Sequence, residues 1–547
     1  MKNIKTIVYF SLWLFLLTGC KTMISTVKVP QGNPLAINAL AKKGTLTEND
    51  KQKWGHLDLL KDSIPGMSLE KAYQFVTNKK GNTVIVAVVD SGTDLEHEDL
   101  KEVAWVNPKE IPGNGKDDDN NGFIDDINGW NFLGTIYKEN AELYRIIKNP
   151  KIVNDTIYQK AKAEYDKKIT QATNNKSRYG QILQAVNFAN DNILKKLGTK
   201  KYTKADLVKI DVSSDQQLAR SVAIANQMFD LGLPSLQEGI DELTTLVKNA
   251  DEVLKEEEIK KEYRKPLNDN ENSMTTIIYG NNKTGHSVKD EAHGTHVSGI
   301  VGAARNNGKG INGVAKNVKI MAVRVVPDGD EYDKDVALGI RYAVDNGAKV
   351  INTSFGKGYS PKKEWVYEAI KYAEKNDVLI VNAAGNSGQN IDVTITFPND
   401  APDMINEIAD NFLTVGAISS NYNEKLPASF TNYGKINVDV FAPGVQIYST
   451  TPENEYKYFN GTSMASPGVA GIAALIRSYY PKLSASQVKH ILMNSGTKID
   501  LEVIKPGSMS REKPNGEKVK FSELSVSGRI VNAYNALVMA NKMVNGK

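Results

Sequence analysis

The segment VIVAVVDSG, residues 84–92, is the part of the chain that says most about its fold. Its first six residues are apolar and mostly β-branched, and a run of this kind without alternation predicts a strand buried on both faces of a parallel sheet. Asp90 follows at the carboxyl end of that strand, where α/β proteins place functional side chains. A carboxylate before a glycine is also ordinary turn chemistry, so both interpretations of Asp90 stay open at this point.

Further apolar runs alternate with helical patterns along the rest of the chain. The strand-like runs are residues 318–326, 349–355, 378–383, 412–418 and 438–442. The helical patterns are residues 293–304, 333–346, 362–376, 463–479 and 484–493. Strands that alternate with helices indicate βαβ units, so the sequence predicts an α/β fold with a mostly parallel sheet.

Residues 137–265 interrupt this alternation. They contain no strand-like run, and their apolar residues recur at spacings of three and four in four stripes, which is typical of amphipathic helices. The segments 174–175, 198 and 232–234 carry Asn, Gly or Pro residues that separate the stripes. The pattern predicts a bundle of about four antiparallel helices inserted into the α/β domain.

The composition excludes several classes of protein. The 547 residues are 40% hydrophobic and 24% charged, which is ordinary for a globular chain. The 68 basic and 64 acidic residues leave a net charge of only +4, so there is no concentrated basic field for a nucleic acid. The single cysteine, Cys20, can form neither an internal disulfide nor a cysteine-based zinc site.

The first twenty residues have the pattern of an export signal. Lys2 and Lys5 precede an apolar stretch, residues 7–17, that is too short for a bilayer, which needs about 20 residues. The following Leu-Thr-Gly-Cys20 resembles the lipobox of bacterial lipoproteins, in which the cysteine becomes the lipidated N-terminus. The resemblance implies a membrane-anchored protein outside the cytoplasm. An ordinary signal peptide with an incidental cysteine is the alternative.

Two further motifs carry side chains suited to catalysis. HGTHVSG, residues 293–299, places His293 and His296 on one helix face, either as two metal ligands or as a base with a packing partner. No third ligand lies nearby in the sequence, which favours the base. NGTSMASP, residues 460–467, places Ser463 at a helix N-terminus, where the dipole favours negative charge. A helix cap is the other interpretation of Ser463.

DSG, HGTH and GTSMASP, in this order, resemble the signatures of the subtilisin-like serine proteases, the subtilases. The resemblance covers most of the chain outside the helical insertion. It implies a subtilisin-like fold with three layers. The predicted organisation is a signal peptide (1–19), a lipidated tether (20–53), a first part of the catalytic domain (54–136), the helical insertion (137–265) and a second part of the catalytic domain (266–547).

The resemblance also implies catalytic roles. Ser463 corresponds to the nucleophile, His293 to the general base, and Asp90 to the carboxylate that orients the imidazole. His296 corresponds to a packing histidine. AAGN, residues 383–386, matches the oxyanion-hole segment of the family, so Asn386 is expected to donate to the developing oxyanion.

Substrate binding follows from the same resemblance. Ser354, Phe355 and Gly356 match one wall of the first specificity pocket, and Ala384 and Gly385 match the other wall. The substrate backbone is expected to dock as an added strand.

An acidic loop, DDDNNGFIDD at residues 117–126, predicts a calcium site. Asp117, Asp119, Asn121 and Asp125 take positions one, three, five and nine of an EF-hand-like oxygen cage. Position twelve is Asn128 rather than a bidentate glutamate, so the remaining ligands must come from elsewhere. A polar turn without a cation is the alternative interpretation.

These observations predict a serine endopeptidase that acts on polypeptides. It is expected to be monomeric, anchored to a membrane by its lipid and without a nucleic-acid partner. The alternatives are a catalytically silent binding module with this fold and a peptide-processing transferase. The insertion is expected to stand at the rim of the cleft that receives residues after the scissile bond, and its removal is expected to spare cleavage of small peptides.

Overall fold

The computed structural model describes residues 46–230, 232–255 and 261–546. Its strands are β1 (Val84–Asp90), β2 (Gly129–Asn131), β3 (Val318–Arg324), β4 (Val350–Thr353), β5 (Leu379–Ala383), β6 (Phe412–Ile418), β7 (Val440–Pro443), β8 (Ile447–Thr451), β9 (Glu455–Phe459), β10 (Thr497–Lys498), β11 (Glu502–Ile504), β12 (Lys518–Lys520) and β13 (Arg529–Ile530). Its α-helices are α1 (Glu48–Lys53), α2 (Leu59–Asp62), α3 (Leu69–Phe75), α4 (Glu142–Lys148), α5 (Asp155–Leu197), α6 (Lys204–Leu207), α7 (Gln216–Asp230), α8 (Leu236–Leu254), α9 (His293–Gly302), α10 (Asp333–Asp345), α11 (Lys363–Lys375), α12 (Thr462–Tyr479), α13 (Ala485–Ser495) and α14 (Ala533–Asn545).

A nine-stranded sheet in the order β10-β13-β7-β6-β5-β4-β1-β3-β2 forms the centre of the fold. Neighbouring strands from β2 to β13 are parallel, and only β10 runs antiparallel to its neighbour. Because β1 pairs with β3 on one side and with β4 on the other, the direction of strand addition reverses at β1. The carboxyl end of β1 therefore opens into the crevice where α/β sheets bind ligands. The predicted α/β class is confirmed.

Both faces of the sheet are buried, as the apolar run of β1 predicts. Val86 and Val88 point into one core, which includes residues of α9 and α12. Ala87 and Val89 point into the other core, which includes residues of α10 and α11. Side chains of consecutive strand residues face opposite sides, so each face receives its own helical layer. The result is the predicted arrangement of three layers.

The helical insertion differs from its prediction in one respect. The segment 174–175 does not break the chain: α5 is one helix of 43 residues, about 65 Å long. Its second half packs with α7 and α8 around an apolar core that includes Val186, Leu218 and Leu243. The main bundle therefore has three helices rather than four, because an asparagine costs a helix only about 0.7 kcal/mol, which packing easily offsets.

The predictions for the N-terminus fall largely outside the described residues. The signal peptide, Cys20 and most of the tether belong to the part of the chain for which no structure is described. The end of the predicted tether forms α1, where Glu48 accepts a hydrogen bond from Tyr458 of β9 at 2.6 Å. Among the described helices, none combines the length and apolar character required to cross a bilayer.

Candidate active site

Asp90 lies at the end of β1, and one of its carboxylate oxygens makes two polar contacts. The residue is completely buried. Its Oδ1 accepts the backbone N–H of Ser91 at 2.7 Å and lies 2.7 Å from Nδ1 of His293. The other oxygen, Oδ2, is buried and has no partner within the described part of the chain. A buried carboxylate with its charge turned toward an imidazole is arranged to fix the orientation and tautomer of that ring.

His293 is the first residue of α9 and keeps contact with solvent, since 38% of its side chain is exposed. Burial lowers the pKa of His293, but the charge of Asp90 and its hydrogen bond raise the pKa by more. The net pKa lies above the ordinary value of 6.5. The carboxylate of Asp90 therefore favours the protonated imidazole, which suits a group that must accept a proton.

His296, one turn further along α9, has different partners. It is fully buried, and its Nε2 lies 3.1 Å from the carbonyl oxygen of Ile447 and 3.0 Å from that of Lys457. Its ring stacks on Phe459 at 4.3 Å. Burial lowers the pKa of His296 to about 3, so the ring is neutral. The pairing of His293 with Asp90, and of His296 with the β8–β9 hairpin, favours a base with a packing partner over two metal ligands.

Ser463 lies in the first turn of α12 and not at its cap. The cap position is Gly461, which has a φ of 155° and supplies no side chain. The hydroxyl of Ser463 donates to the carbonyl oxygen of Ser354 at 2.9 Å. The described residues contain no hydrogen bond between Ser463 and His293. The N–H of Ser463 belongs to the first turn, whose donors have no partner within the helix, and it points with the positive end of the helix dipole.

Asn386 is held by its oxygen, which leaves its nitrogen free. Its Oδ1 accepts both the N–H of Thr462 at 2.9 Å and the hydroxyl of the same residue at 3.0 Å. The Thr462 hydroxyl in turn accepts the N–H of Gly385 at 3.0 Å. The amide nitrogen of Asn386 has no hydrogen-bond acceptor among the described residues, and the residue is exposed. An amide fixed in this way keeps its N–H groups available to an acceptor from outside the chain.

Thr462 has a structural role that the sequence does not reveal. The completely buried threonine connects the segment after β5 with the start of α12 through both of its polar groups. It belongs to the quoted GTSMASP motif, but nothing in the sequence shows which of its neighbours would be polar.

The substrate-binding residues predicted from sequence surround the same position. Ser354 follows β4, and its Oγ donates to the carbonyl oxygen of Ser463 at 2.9 Å. Phe355 is half-buried and Gly356 is exposed beside it. Ala384 is buried after β5, and Gly385 has a positive φ of 99°, which favours glycine there. The two segments flank Ser463 at the carboxyl edge of the sheet.

The sequence profile of the subtilase family, peptidase S8, matches residues 81–516. This chain belongs to the subtilase family. Subtilisin DY of Bacillus licheniformis is 42% identical over 218 residues, which cover 39% of this chain and 73% of that protein. Thermitase of Thermoactinomyces vulgaris is 41% identical over 208 residues, which cover 38% of this chain and 68% of thermitase.

A solved structure of a cold adapted subtilisin-like serine proteinase is also similar to this subtilase. It has 32% sequence identity and a TM-score of 0.33, and the match covers 43% of this chain and 74% of that one. Membership of the family makes this subtilase a serine endopeptidase, and polypeptides are its substrates.

The acidic loop of this subtilase holds a cluster that differs from the predicted one. Carboxylate oxygens of Glu110, Asp117 and Asp119 lie within 4.8 Å of one another. Glu110 is buried, and its Oε2 has no partner within the described residues. A buried carboxylate oxygen without a partner, next to two further carboxylates, fits a hard cation such as calcium.

The two other predicted ligands, Asp125 and Asn121, accept hydrogen bonds from backbone N–H groups of the loop. Both carboxylate oxygens of Asp125 accept backbone N–H groups, from Gly113 at 2.9 Å and Gly115 at 2.8 Å. The side-chain oxygen of Asn121 accepts the N–H of Phe123 at 2.7 Å. Asp125 lies outside the acidic cluster, which Glu110, seven residues before Asp117, completes. Asn121 as a ligand stays a prediction.

Proposed function

We propose that this subtilase hydrolyses peptide bonds through Asp90, His293 and Ser463, with Asn386 as a donor to the oxyanion. The observation that supports this most directly is the 2.7 Å contact between the buried carboxylate of Asp90 and Nδ1 of His293. That contact fixes the tautomer in which Nε2 carries the lone pair and is the free acceptor.

The steps follow from the positions of these groups. Nε2 of His293 takes the proton of the Ser463 hydroxyl as Oγ attacks the substrate carbonyl carbon. In the free enzyme that hydroxyl donates to Ser354, so it must rotate toward His293 when substrate binds. Such rotation is ordinary, because catalytic hydrogen bonds often form only in the substrate complex. The protonated imidazole then gives its proton to the leaving amine, and water hydrolyses the acyl-enzyme by the reverse steps.

The oxyanion of the tetrahedral intermediate needs fixed donors. We assign the free amide N–H of Asn386 and the backbone N–H of Ser463 as these donors. We assign Ser354, Phe355 and Gly356 on one side, and Ala384 and Gly385 on the other, to the residue that precedes the scissile bond. Because the donors are in place before reaction, stabilising the oxyanion requires little reorganisation.

Replacement of the nucleophile tests the proposal. Ser463→Ala is expected to fold normally and to lose about 10⁶-fold in kcat, the loss known for this change in subtilisin. Ser387→Ala, an exposed serine near Asn386, is the matched control and keeps wild-type activity. A fluorophosphonate probe labels Ser463 in the wild type. Retained activity in Ser463→Ala refutes the assignment, and amide products formed preferentially with an added amine identify a transferase instead.

We further propose that Glu110, Asp117 and Asp119 hold a structural calcium ion. Calcium would neutralise three carboxylates whose mutual repulsion otherwise destabilises the loop. At a hundredfold excess over Kd, bound calcium adds about 2.7 kcal/mol to stability. A chelator is expected to lower the Tm of the wild type and to change little in the double variant Asp117→Asn/Asp119→Asn. Equal responses of the two proteins would show that the loop holds no ion.

The proposed location rests on the sequence of residues 1–20. A lipobox cysteine after an apolar stretch supports export and anchoring through Cys20. Metabolic labelling with a radioactive fatty acid is expected to mark the wild type in the membrane fraction. Cys20→Ser is expected to lose the label. If the wild type incorporates no fatty acid and associates with the membrane to the same extent as Cys20→Ser, the cysteine is incidental.

A further inference from the structure

Helix α4, at the start of the insertion, contacts the segment that follows β4. The ammonium group of Lys357 lies 2.8 Å from Oε2 of Glu142 and 2.9 Å from Oδ1 of Asp333. It also donates to the carbonyl oxygen of Glu331 at 2.7 Å. Only 2% of the Lys357 side chain and 5% of the Glu142 side chain are exposed. A buried ion pair thus connects the insertion with the residue next to Gly356.

Arg145, one turn after Glu142, holds the segment that follows β3. Its guanidinium donates to the carbonyl oxygens of Asp330 at 3.0 Å and Glu331 at 3.1 Å, and to Glu142 at 2.6 Å. The same group lies 3.8 Å from the centre of the Tyr332 ring. Helix α4 therefore contacts the segments after β3 and β4 at the same time.

The charges in this connection are mutually dependent. Burial raises the pKa of Glu142, but Lys357 and Arg145 lower it by more, so the carboxylate stays ionised. Burial lowers the pKa of Lys357, but the charges of Asp333 and Glu142 raise it by more. Removal of one partner from a buried pair leaves an uncompensated charge, so the geometry of this cluster is strongly preferred.

Both segments have backbone groups without a hydrogen-bond partner in the described part of the chain. Within the described residues, the N–H and C=O groups of Phe355, Gly356 and Gly329 have no hydrogen-bond partner. Gly356 and Gly329 are exposed. Two open edges at the carboxyl end of a sheet suit a peptide that binds as an added strand between them. The spacing of the edges then decides how many backbone hydrogen bonds the peptide can form.

We propose that Glu142 and Arg145 are positioning residues that set the spacing of the segments after β3 and β4, and so determine affinity for the substrate residues before the scissile bond. This inference rests on the proposed function. The base of the insertion lies beside Phe355 and Gly356, so this proposal places it at the side of the residues before the scissile bond, where the sequence led us to expect the opposite side.

Substrate length provides the test. For active-site-titrated enzyme, kcat and KM are measured with a blocked single-residue ester and with a blocked tetrapeptide anilide. Glu142→Gln keeps the shape of the side chain and removes its charge. The ratio of kcat/KM for the tetrapeptide to that for the ester is expected to fall about tenfold, mostly through KM, because small misplacements of binding groups are costly. Asp166→Asn, which removes an exposed ion pair with Lys162 in α5, is expected to keep the ratio.

A merely structural role of Glu142 would lower both values of kcat/KM equally, and an unchanged ratio overturns the proposal. If Glu142→Gln does not fold, the double variant Glu142→Gln/Lys357→Met separates the segments without an orphaned lysine, and its ratio decides in the same way. A wild-type protein that hydrolyses neither substrate refutes the proposed function itself. A wild type that hydrolyses both, with the ratio unchanged in the variant, refutes only this inference.

Discussion

The α/β core and the outer part of the insertion use charged residues in opposite ways. In the core, Arg324 and Glu291 are paired at 2.7 Å with side chains only 1% and 4% exposed. In the outer bundle of the insertion, residues 178–249, Lys204 and Asp230 are paired with side chains 55% and 64% exposed. Exposed pairs are worth less than about 1 kcal/mol, so the outer bundle depends on its apolar stripes. At the base of the insertion, Glu142 forms a buried ion pair with Lys357 of the α/β core, as charged residues do within the core itself.

The largest expected effect on catalysis comes from a change in the α/β core. Asp90→Asn is expected to lower kcat about 10⁴-fold, because the amide stabilises the wrong tautomer of the imidazole. Asp94→Asn, in the loop that follows β1, is the control, since among the described residues the Asp94 carboxylate accepts hydrogen bonds only from the backbone N–H groups of Glu96 and Glu453. Kinetics with a peptide anilide measure both variants. Comparable losses in the two would mean that Asp90 acts only through the loop.

A smaller loss is expected at the oxyanion position. Asn386→Leu removes the free amide and is expected to cost about 10²–10³ in kcat with little change in KM, as found for the corresponding donor in subtilisin. Asn390→Leu, four residues later on the same loop, is expected to keep normal kcat. A loss confined to KM would assign Asn386 to ground-state binding.

The pH profile separates the two regions further. The pKa of His293 lies above 6.5, and the imidazole must be neutral to act as a base. The value of kcat/KM is therefore expected to fall about tenfold per pH unit below that pKa, with the midpoint above 6.5. Removal of the outer bundle is expected to leave the midpoint in place. A midpoint below 6.5 would contradict the dominant influence of Asp90.

The smallest effect is expected for the outer bundle. Nζ of Lys176 in α5 lies 2.6 Å from Oδ1 of Asp251 in α8. The two helices are therefore close enough there for a short Gly/Ser linker to replace residues 178–249. Sites that share no contacts act independently, so kcat/KM for a short peptide should stay within about twofold of the wild type. Cleavage of folded proteins is expected to change.

Deletion of residues 140–262 is the matched experiment, because it also removes Glu142 and Arg145. Contrary to the expectation from sequence that removal of the insertion spares small peptides, this deletion is expected to impair tetrapeptide cleavage, whereas the truncation of residues 178–249 is not. Equal activities of the two deletion proteins toward the tetrapeptide would show that the base of the insertion contributes no more than the outer bundle.

The sheet could be predicted from sequence because its signals are local. A short apolar run rich in β-branched residues favours a strand that is buried on both faces, and β1 and β6 form where the sequence predicts strands. The prediction of β4 extended to Phe355, but the strand ends at Thr353, where the chain leaves the sheet to line the cleft. The structure brings Asp90 into contact with His293, and their combination with Ser463 in one site stays a prediction.

The missed features depend on partners that are far apart in sequence. Lys357 reads as an ordinary surface lysine, and only the fold shows that Glu142, 215 residues away, buries it. Glu110 lies outside the acidic run that indicated a calcium site, so spacing rules favoured Asp125. The sequence predicts a break in α5 at residues 174–175 because asparagine has a low helix propensity. That prediction leaves out the packing of α7 and α8 against α5, which stabilises the continuous helix.

One contact at the base of the insertion bears on how the chain folds. Nδ2 of Asn140 donates to the carbonyl oxygen of Lys261, 121 residues later, at 3.3 Å. Strand β1 must find β3 across about 230 residues, and closing such a loop costs entropy that grows only with the logarithm of its length. Helices form locally and quickly, so an insertion that folds first joins its own ends and about halves the loop. Even an unfolded insertion would add only about 0.6 kcal/mol to closure, so an arm of this length at this position hardly slows assembly of the sheet.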